Sequence, residues 1–529
     1  MQTIATVIIL LAVVTALADV TDRIRIPYPI LLVLSGIGIG LIPGLPRVTL
    51  NPEVVFLIFL PPILYSAAWN TSWPDFKTAK RPIILLAIGC VIFTTLAVAW
   101  IAHRFIPGFG WPEAFVLGAI ISPPDAIAAT ASTKGLAVPK RIITILEGES
   151  LVNDATGLIV YRYGIAAVAT GAFSLWEAGL RFVVVATAGV VLGLVVARIV
   201  KWMHSVTTDN PTIDTTMTFI TPFVAYLLAE SIHVSGVLAV VSCGIYLNWH
   251  SSVIFSHRTR LQAYGSWNTV IFILNGLVFI FIGLQLPVIL ENIEGHSFVV
   301  LLKYGTIVSL AVIVGRIIWV YPGAYLPRLS RRVREREPEV NLRLVTIVAW
   351  SGMRGVVSMA AALAIPFMIG TSTPFPNRDL IIFLTFCVIF STLVLQGLTL
   401  RPLIKLLGIQ SDGRAHDAEL RARVAIASAL IEFIEENYSL ALTDEGLNLI
   451  KTKYEIRIQR IRKGQTQMNV HETLVEKLHP IQQELLNRER ELVLKLRNEG
   501  AISEESLRKM EYELDLEESR LLLEQGMPS

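Results

Sequence analysis

The stretch Gly148-Glu149-Ser150-Leu151-Val152-Asn153-Asp154-Ala155-Thr156-Gly157 interrupts an otherwise apolar run, and its reading decides the kind of fold. Glu149 and Asn153 are four residues apart, as are Ser150 and Asp154, so on a helix each pair is stacked, one pair a step round from the other. A single polar stripe then carries two carboxylates, an amide and a hydroxyl. Oxygen donors of this kind suit a hard cation, and withdrawing a carboxylate from water favours its neutral form. A group that holds either a proton or a metal cation, but not both, has the chemistry that exchange of one for the other requires.

The surroundings place this stripe in a membrane. The chain has 529 residues, of which 53% are hydrophobic and only 16% charged, and its mean hydropathy is +0.60. The charges are unevenly spread, with 40 in the 121 positions 409–529 and 47 in the first 408. A span needs about 20 mostly apolar residues. Thirteen candidate spans begin near Thr3, Ile26, Pro52, Pro82, Pro112, Arg141, Gly179, Asp214, Val234, Trp267, Phe298, Leu342 and Asp379. The expected fold is an all-α polytopic membrane protein of about thirteen transmembrane helices over residues 1–408, followed by a cytoplasmic helical tail over 409–529.

Orientation follows from the basic residues of alternate loops. Those after odd-numbered spans hold eighteen Lys and Arg, among them Lys77, Lys140, Arg198, Arg258 and Arg331, whereas those after even-numbered spans hold five. Basic loops face the cytoplasm, so the N-terminus is expected outside and the tail inside, at the plasma (inner) membrane. Ala16-Leu17-Ala18 resembles a signal-peptidase site, but no basic residue precedes the first apolar run, which argues against cleavage. The tail holds 17 Lys and Arg against 23 Asp and Glu. Helical spacing over 415–438 and 474–523, interrupted near Asn498-Glu499-Gly500, predicts a solvated helical hairpin, with a regulatory or dimer-stabilising role as the alternative.

Several classes lose support. Cys90, Cys243 and Cys387 sit in apolar runs without CxxC spacing, which predicts buried filler, not a disulfide or zinc site. There is no Walker-type phosphate loop, no G-x-S-x-G and no H-E-x-x-H, and no feature points to an enzyme or to a nucleic-acid partner.

An ionisable side chain within a span costs about 2.5–3.5 kcal/mol on insertion scales, so each needs a partner or a function. The informative ones are Asp125, Glu149, Asp154, Arg162, Glu230, Arg316 and Arg354. Arg162 and Glu230 lie near span ends and can snorkel, and Arg316 can anchor a helix interface or act as a secondary polar residue. Proline pairs interrupt the third span at Pro61-Pro62 and the fifth at Pro123-Pro124, and both interruptions point to a site. In the fifth, Asp125 follows directly, with freed carbonyls able to face a cation. The twelfth span carries a Gly-rich break, Ser351-Gly352-Met353-Arg354-Gly355. An early and a late broken span are what two inverted-topology repeats with discontinuous crossing helices produce. Arg354 would then offset helix-end charge and pair with a carboxylate, for which Glu149 is the candidate.

Five segments in order resemble the sodium/proton exchangers of the first monovalent-cation/proton antiporter family: Phe59-Leu60-Pro61-Pro62-Ile63-Leu64, Ser122-Pro123-Pro124-Asp125-Ala126-Ile127-Ala128, Gly148 to Ala155, His233-Val234-Ser235-Gly236-Val237-Leu238-Ala239 and Gly352-Met353-Arg354-Gly355. The resemblance extends over roughly residues 1–405. It implies a homodimer of thirteen-span protomers, each with a dimerisation half and a mobile core. It makes Asp154 the cation and proton carrier and Asn153 its neighbour in the Asn-Asp pair of electroneutral members. It places Asp125, Ser150 and the backbone near Pro124 in the ion site, and Glu149 with Arg354 in a structural ion pair. Two departures stand out: Ser66 occupies a place where many relatives have an acid in the entry funnel, and Pro124 a place where they often have a non-proline residue.

The leading expectation is a secondary transporter that exchanges cytoplasmic Na⁺, or else K⁺ or Li⁺, for external protons by alternating access, in the service of pH and sodium homeostasis. No cofactor is expected beyond the transported cation, with Asp154 and Asp125 as its ligands; the partners are H⁺, membrane lipid and a second copy. A cation channel or ion-gated sensor is the rival, although no Thr-Val-Gly-Tyr-Gly filter occurs. An intramembrane hydrolase using paired carboxylates is a third reading.

Overall fold

The computed structural model describes residues 2–24, 26–42, 56–133, 136, 138–170, 175–206, 210–293, 297–336, 341–369, 373–409 and 413–438, with scattered positions between 451 and 518. The chain divides into two compact units, Met1–Ser411 and Asp412–Ser529. In the second, the 415–438 pattern forms part of a helix over Gly413–Tyr438, and the expected 474–523 pattern lies largely outside the described residues.

The first unit opens with α1 (Gln2–Ile24), α2 (Tyr28–Gly40), α3 (Leu60–Asn70) and the short α4 (Trp73–Thr78). A long α5 (Lys80–Phe105) contains a π turn at Leu85–Cys90. A helix in two pieces follows, α6 (Trp111–Ile121) and α7 (Ala126–Thr133). Then come α8 (Lys140–Thr170), α9 (Leu175–Val206), α10 (Pro211–Ser231), α11 (Gly236–Ile254), α12 (His257–Asn292) and α13 (Phe298–Tyr325). After the short α14 (Arg331–Arg336) a second two-piece helix forms from α15 (Leu342–Trp350) and α16 (Val356–Leu363). A small antiparallel hairpin pairs β1 (Met368–Ile369) with β2 (Thr373–Pro374). The unit ends with α17 (Arg378–Leu406), which has its own π turn at Thr392–Gln396.

Each of the thirteen candidate stretches therefore contains a helix or a pair of half helices. Among the described residues, seven stretches are long and apolar enough to cross a membrane: α5, α6 with α7, α9, α10, α12, α13 and α17. The 31-residue α8 is long enough but too polar, because it carries Glu147, Glu149, Asn153, Asp154 and Arg162. The protein is a helical, polytopic membrane protein.

The proline pair of the third span follows a turn at Phe59, with residues 56–58 helical before it and Pro61 and Pro62 in the first turn of α3 after it. Neither proline has an N–H to continue the helix from the preceding turn, and the first bond after them runs from the Ile63 N–H to the Phe59 carbonyl. The proline pair of the fifth span separates two helical pieces, and so does the Gly-rich segment of the twelfth.

Two apolar clusters organise the unit. The larger joins α1, α2, α5 to α8, α12, α13 and α15 to α17, and the smaller joins α3, α9, α10 and α11. The α8 helix belongs to both, with Ile142, Ile145, Leu146 and Tyr161 in the first and Leu151 and Ala155 in the second. Apolar contact on both sides fixes the rotation of α8 about its axis, and with it the direction in which the polar stripe points.

The helices α2 and α12 approach each other closely. A Cβ on Gly36 would fall on the Ile280 carbonyl oxygen, and one on Gly283 on the carbonyl oxygen of Val33. The two helices run parallel, with Gly40 facing Pro287 one turn beyond. Gly38 has open space around its Cα. Gly283→Val should therefore cost about 1–3 kcal/mol through overpacking, read as a lower melting temperature in detergent, while Gly38→Ala should leave melting unchanged or raised. Equal melting of the Gly283→Val variant and the wild type would contradict the packing.

Candidate functional site

The two interrupted helices meet at their breaks. The Asp125 N–H donates to the carbonyl of Met353 at 2.7 Å, so the backbones of the two interruptions are hydrogen-bonded to each other. Pro123 and Pro124 have no N–H to continue a helix. Pro123 packs against Gly157 of α8, where a side chain would displace it.

Each exposed helix end at the crossing is met by a group of suitable charge. The Asp125 carboxylate accepts from the Ile127 N–H at 2.8 Å and so caps α7. Its other oxygen lies against Gly355, the residue before α16. Two helix N-termini, each carrying a partial positive charge, thus converge on one carboxylate. Arg354 serves the opposite ends. Its Nε donates to the Ile121 carbonyl at 3.0 Å and a terminal nitrogen to Ser122 at 3.3 Å, closing α6. The other terminal nitrogen donates to the Gly352 carbonyl, just past the end of α15. The Arg354 backbone N–H donates to Thr392 Oγ1 at 3.1 Å, in the π turn of α17.

The α8 stripe lies alongside. Asn153 Nδ2 donates to the Pro124 carbonyl at 2.7 Å, and the Ala126 N–H donates to Ser150 Oγ at 3.3 Å. Asn153 Oδ1 is buried and has no hydrogen-bond partner among the described residues. Asp154 is 7% exposed, feels the charge of Asp125, and has no hydrogen-bond partner among the described residues. The structure therefore gathers Asp125, Asp154, Asn153, Ser150 and the Pro124 backbone in one place.

The expected ion pair is formed differently. Glu149 does not pair with Arg354. It takes a bidentate pair from Arg316 of α13, at 2.6 and 2.8 Å, with both side chains at 2% exposure or less. Arg316 Nε adds a bond to the Val348 carbonyl at 3.2 Å. The physical reason lies in local supply. Arg354 sits in a helix break where free carbonyls satisfy it, whereas Arg316 lies within a continuous helix whose carbonyls are taken, and must find a carboxylate. A planar guanidinium matched to a carboxylate in two parallel bonds also fixes the angle between α8 and α13.

The remaining candidates lie elsewhere. Arg162 and Glu230 bond to each other at 2.6 Å in a half-exposed pair between α8 and α10. Ser66 lines a cavity of about 190 Å³ with Tyr65, Trp69, Thr218, Arg260 and Trp267, apart from the crossing. Sequence reasoning overlooked Thr392, which holds the Arg354 backbone at the crossing. Among the described residues no group of three or more His, Cys, Asp or Glu could hold a metal ion of the zinc type.

Two interrupted helices crossing beside a buried carboxylate pair, with helix ends of both signs turned towards the crossing, define a secondary ion transporter. Comparison with known proteins is more specific. The family described as sodium/hydrogen exchanger, transmembrane, matches residues 8–406. The Na(+)/H(+) exchanger Rv2287 of Mycobacterium tuberculosis is 35% identical over 98% of this chain and 96% of its own length. A sodium, potassium, lithium and rubidium/H(+) antiporter of Bacillus pumilus is 33% identical over 88% of this chain and 72% of its own. The solved structure of the sodium proton antiporter MjNhaP1 from Methanocaldococcus jannaschii shares the fold, with a TM-score of 0.61 at 20% identity, covering 77% of this chain and all of that one. The chain belongs to the sodium/hydrogen exchanger family of monovalent-cation/proton antiporters.

The Glu149–Arg316 pair makes a quantitative prediction. Removing one partner of a buried pair strands the other charge and costs about 3–5 kcal/mol, whereas removing both costs far less. Glu149→Leu and Arg316→Leu should each lower the melting temperature strongly, and the double variant should melt above either single one. Strict additivity of the two losses would show that the pair is not coupled.

Proposed function

We propose that the chain exchanges Na⁺ for H⁺, one for one, across the plasma membrane, with Asp154 as the shared carrier. It works by alternating access as a homodimer of about thirteen-span protomers, N-terminus outside and tail cytoplasmic, and serves pH and sodium homeostasis. A single observation carries this reading: Asp154 is a buried carboxylate with no hydrogen-bond partner among the described residues, beside a second carboxylate that the helix ends already hold. A buried charge without a partner is costly. A proton removes the charge and a cation balances it, and the two cannot be held together.

The surrounding pairings support a single exchangeable charge. Glu149 is committed to Arg316, and Arg354 to helix-end carbonyls. Asn153 does not titrate, and its amide nitrogen is held by Pro124. One exchangeable charge means one cation per proton and no net charge moved.

A second reading keeps the mechanism and changes the ion. The Bacillus pumilus relative is named for potassium, lithium and rubidium as well as sodium, whereas a 32% identical relative from Aphanothece halophytica is named as a Na(+)/H(+) antiporter. Potassium exchange at the same site is therefore the alternative.

In proteoliposomes, addition of Na⁺ should collapse an imposed pH gradient through the wild type, at a rate indifferent to an imposed membrane potential. Asp154→Asn should abolish this exchange while leaving melting near that of the wild type; appreciable residual exchange would sink the assignment. Competition also predicts that on the acid side of carrier titration the apparent KM for Na⁺ rises about tenfold per unit fall in pH, with the maximal rate little changed. A KM independent of pH would mean that the two ions use separate sites.

A further inference from the structure

Directional bonds sort the long helices around α8 into two sets. On one side α8 is tied to the crossing by Asn153 and Ser150, and to α13 by the pairing of Glu149 with Arg316. On the other side, Asp214 of α10 bonds to His204 of α9 at 2.9 Å and accepts from Thr259 of α12 at 3.3 Å. Trp267 of α12 donates to Thr218 of α10 at 3.0 Å, and the Ser235 N–H, at the start of α11, donates to the Val185 carbonyl of α9 at 3.3 Å. The helices α9 to α12 are thereby held to one another. Towards them α8 presents Leu151 and Ala155, within the smaller apolar cluster. Such a contact has no preferred direction.

An ion pair crosses from one set to the other. Arg162 Nη2 of α8 donates to Glu230 Oε2 of α10 at 2.6 Å. The partners are held unequally. Glu230 is the penultimate residue of α10, where the helix carbonyls carry a partial negative charge, so its carboxylate stands at the unfavourable end and gains from a cation. Its other oxygen lies against Gly236 at the start of α11, where a Cβ would come within 3.1 Å of it and 2.7 Å of the Tyr226 ring. Glu230 therefore sits in a notch of the second set, with its side chain 29% exposed. The Arg162 side chain is 51% exposed and reaches across from α8. It stands eight residues beyond Asp154, about 12 Å along the same helix at 1.5 Å per residue. What holds Arg162 holds the helix that carries Asp154.

The two kinds of contact between the sets respond differently to movement. Leu151 and Ala155 can repack in a shifted register, whereas the charge pair closes only where Arg162 meets the seated Glu230. A half-exposed pair shifts an equilibrium by at most about fivefold. That is too little to hold a fold together, and enough to weight two arrangements of similar energy.

We propose that Arg162 and Glu230 form a latch on the transport cycle. Closed, it holds α8 in the arrangement seen here, and it parts each time Asp154 changes its access to water. This rests on the exchange reading above and adds to it a pair, remote from the ion site, that sets the balance between the two states.

The test uses the full-length protein in nanodiscs, with Cys90, Cys243 and Cys387 replaced by alanine and spin labels on Ala169→Cys of α8 and Ile232→Cys beside the end of α10, both exposed positions. Pulsed electron paramagnetic resonance should show a short separation for the closed latch and a second one for the parted latch. Arg162→Gln and Glu230→Gln should each lower the ratio of closed to parted two- to fivefold, and the double variant should lower it no further than either single one. Arg162→Lys, which keeps the charge, should stay near the wild-type ratio and carries the test if a glutamine variant fails to fold. Raised choline chloride should move the wild type towards the glutamine variants, which should not respond, because salt screens a half-exposed pair. Equal distributions in the wild type and the glutamine variants, additive effects of the two substitutions, or a lysine variant that behaves like the glutamine one, overturn the inference. Failure of the unlabelled wild type to exchange cations for protons in proteoliposomes, alongside the expected distances, would instead defeat the exchange reading and leave the link between the two sets standing.

Discussion

The hydrogen bond from the Asp125 N–H to the Met353 carbonyl is the constraint on which the rest of the first unit depends. It joins two helices at the points where each has come apart. A broken helix within an apolar protein exposes donors at one end, acceptors at the other, and a partial charge at both. Two such breaks side by side double the requirement. The residues around the crossing meet it, with Asp125 at the two N-termini, Arg354 at the carbonyls of the opposite ends, and Asn153, Ser150 and Thr392 at individual backbone groups. Remove the crossing and none of these side chains has a reason to be where it is.

The buried charges are thereby sorted by availability. Arg354 is held by carbonyls and Glu149 by Arg316, so neither is free to follow an ion. The Glu149–Arg316 pair is a poor device for stability as such, since desolvating two charges offsets most of their attraction. What it supplies is a fixed relation between α8 and α13 and a guarantee that Glu149 stays committed. Asp154, a turn further along α8, is the carboxylate left over. A transport site of this kind is made by satisfying every charge but one.

Much of this was legible in the sequence wherever the relation is local. The stripe on α8 follows from spacing of four, and the break before Asp125 from two prolines in succession. Relations between helices were harder to read. The pairing of Glu149 with Arg354 looked natural because both lie near breaks or polar residues, but the choice between two arginines turns on which has free carbonyls nearby, and that depends on local backbone. Arg316, flanked by Gly315 and Ile317 deep in α13, has none apart from the Val348 carbonyl across the helix interface.

The contrast between the two kinds of contact at the site also says where motion must occur. The crossing is tied to α8 by Asn153 and Ser150 and to α17 by Thr392, through directional bonds that cannot slide without breaking. Between α12 and α16, Phe59, Val278, Phe281 and Ile282 line a small apolar gap together with Val356, Met359, Ala360 and Leu363. Apolar contacts have no preferred direction and can be remade in a shifted register at little cost. On the proposed exchange mechanism, alternating exposure of Asp154 would require α6, α7, α8, α13, α15, α16 and α17 to travel together, because directional bonds join them, with the α12–α16 surface as the plane of slip. A carrier that moved relative to the helix ends would lose the groups that offset its neighbours' charges; one that moves with them keeps its electrostatics constant, and only its access to water changes.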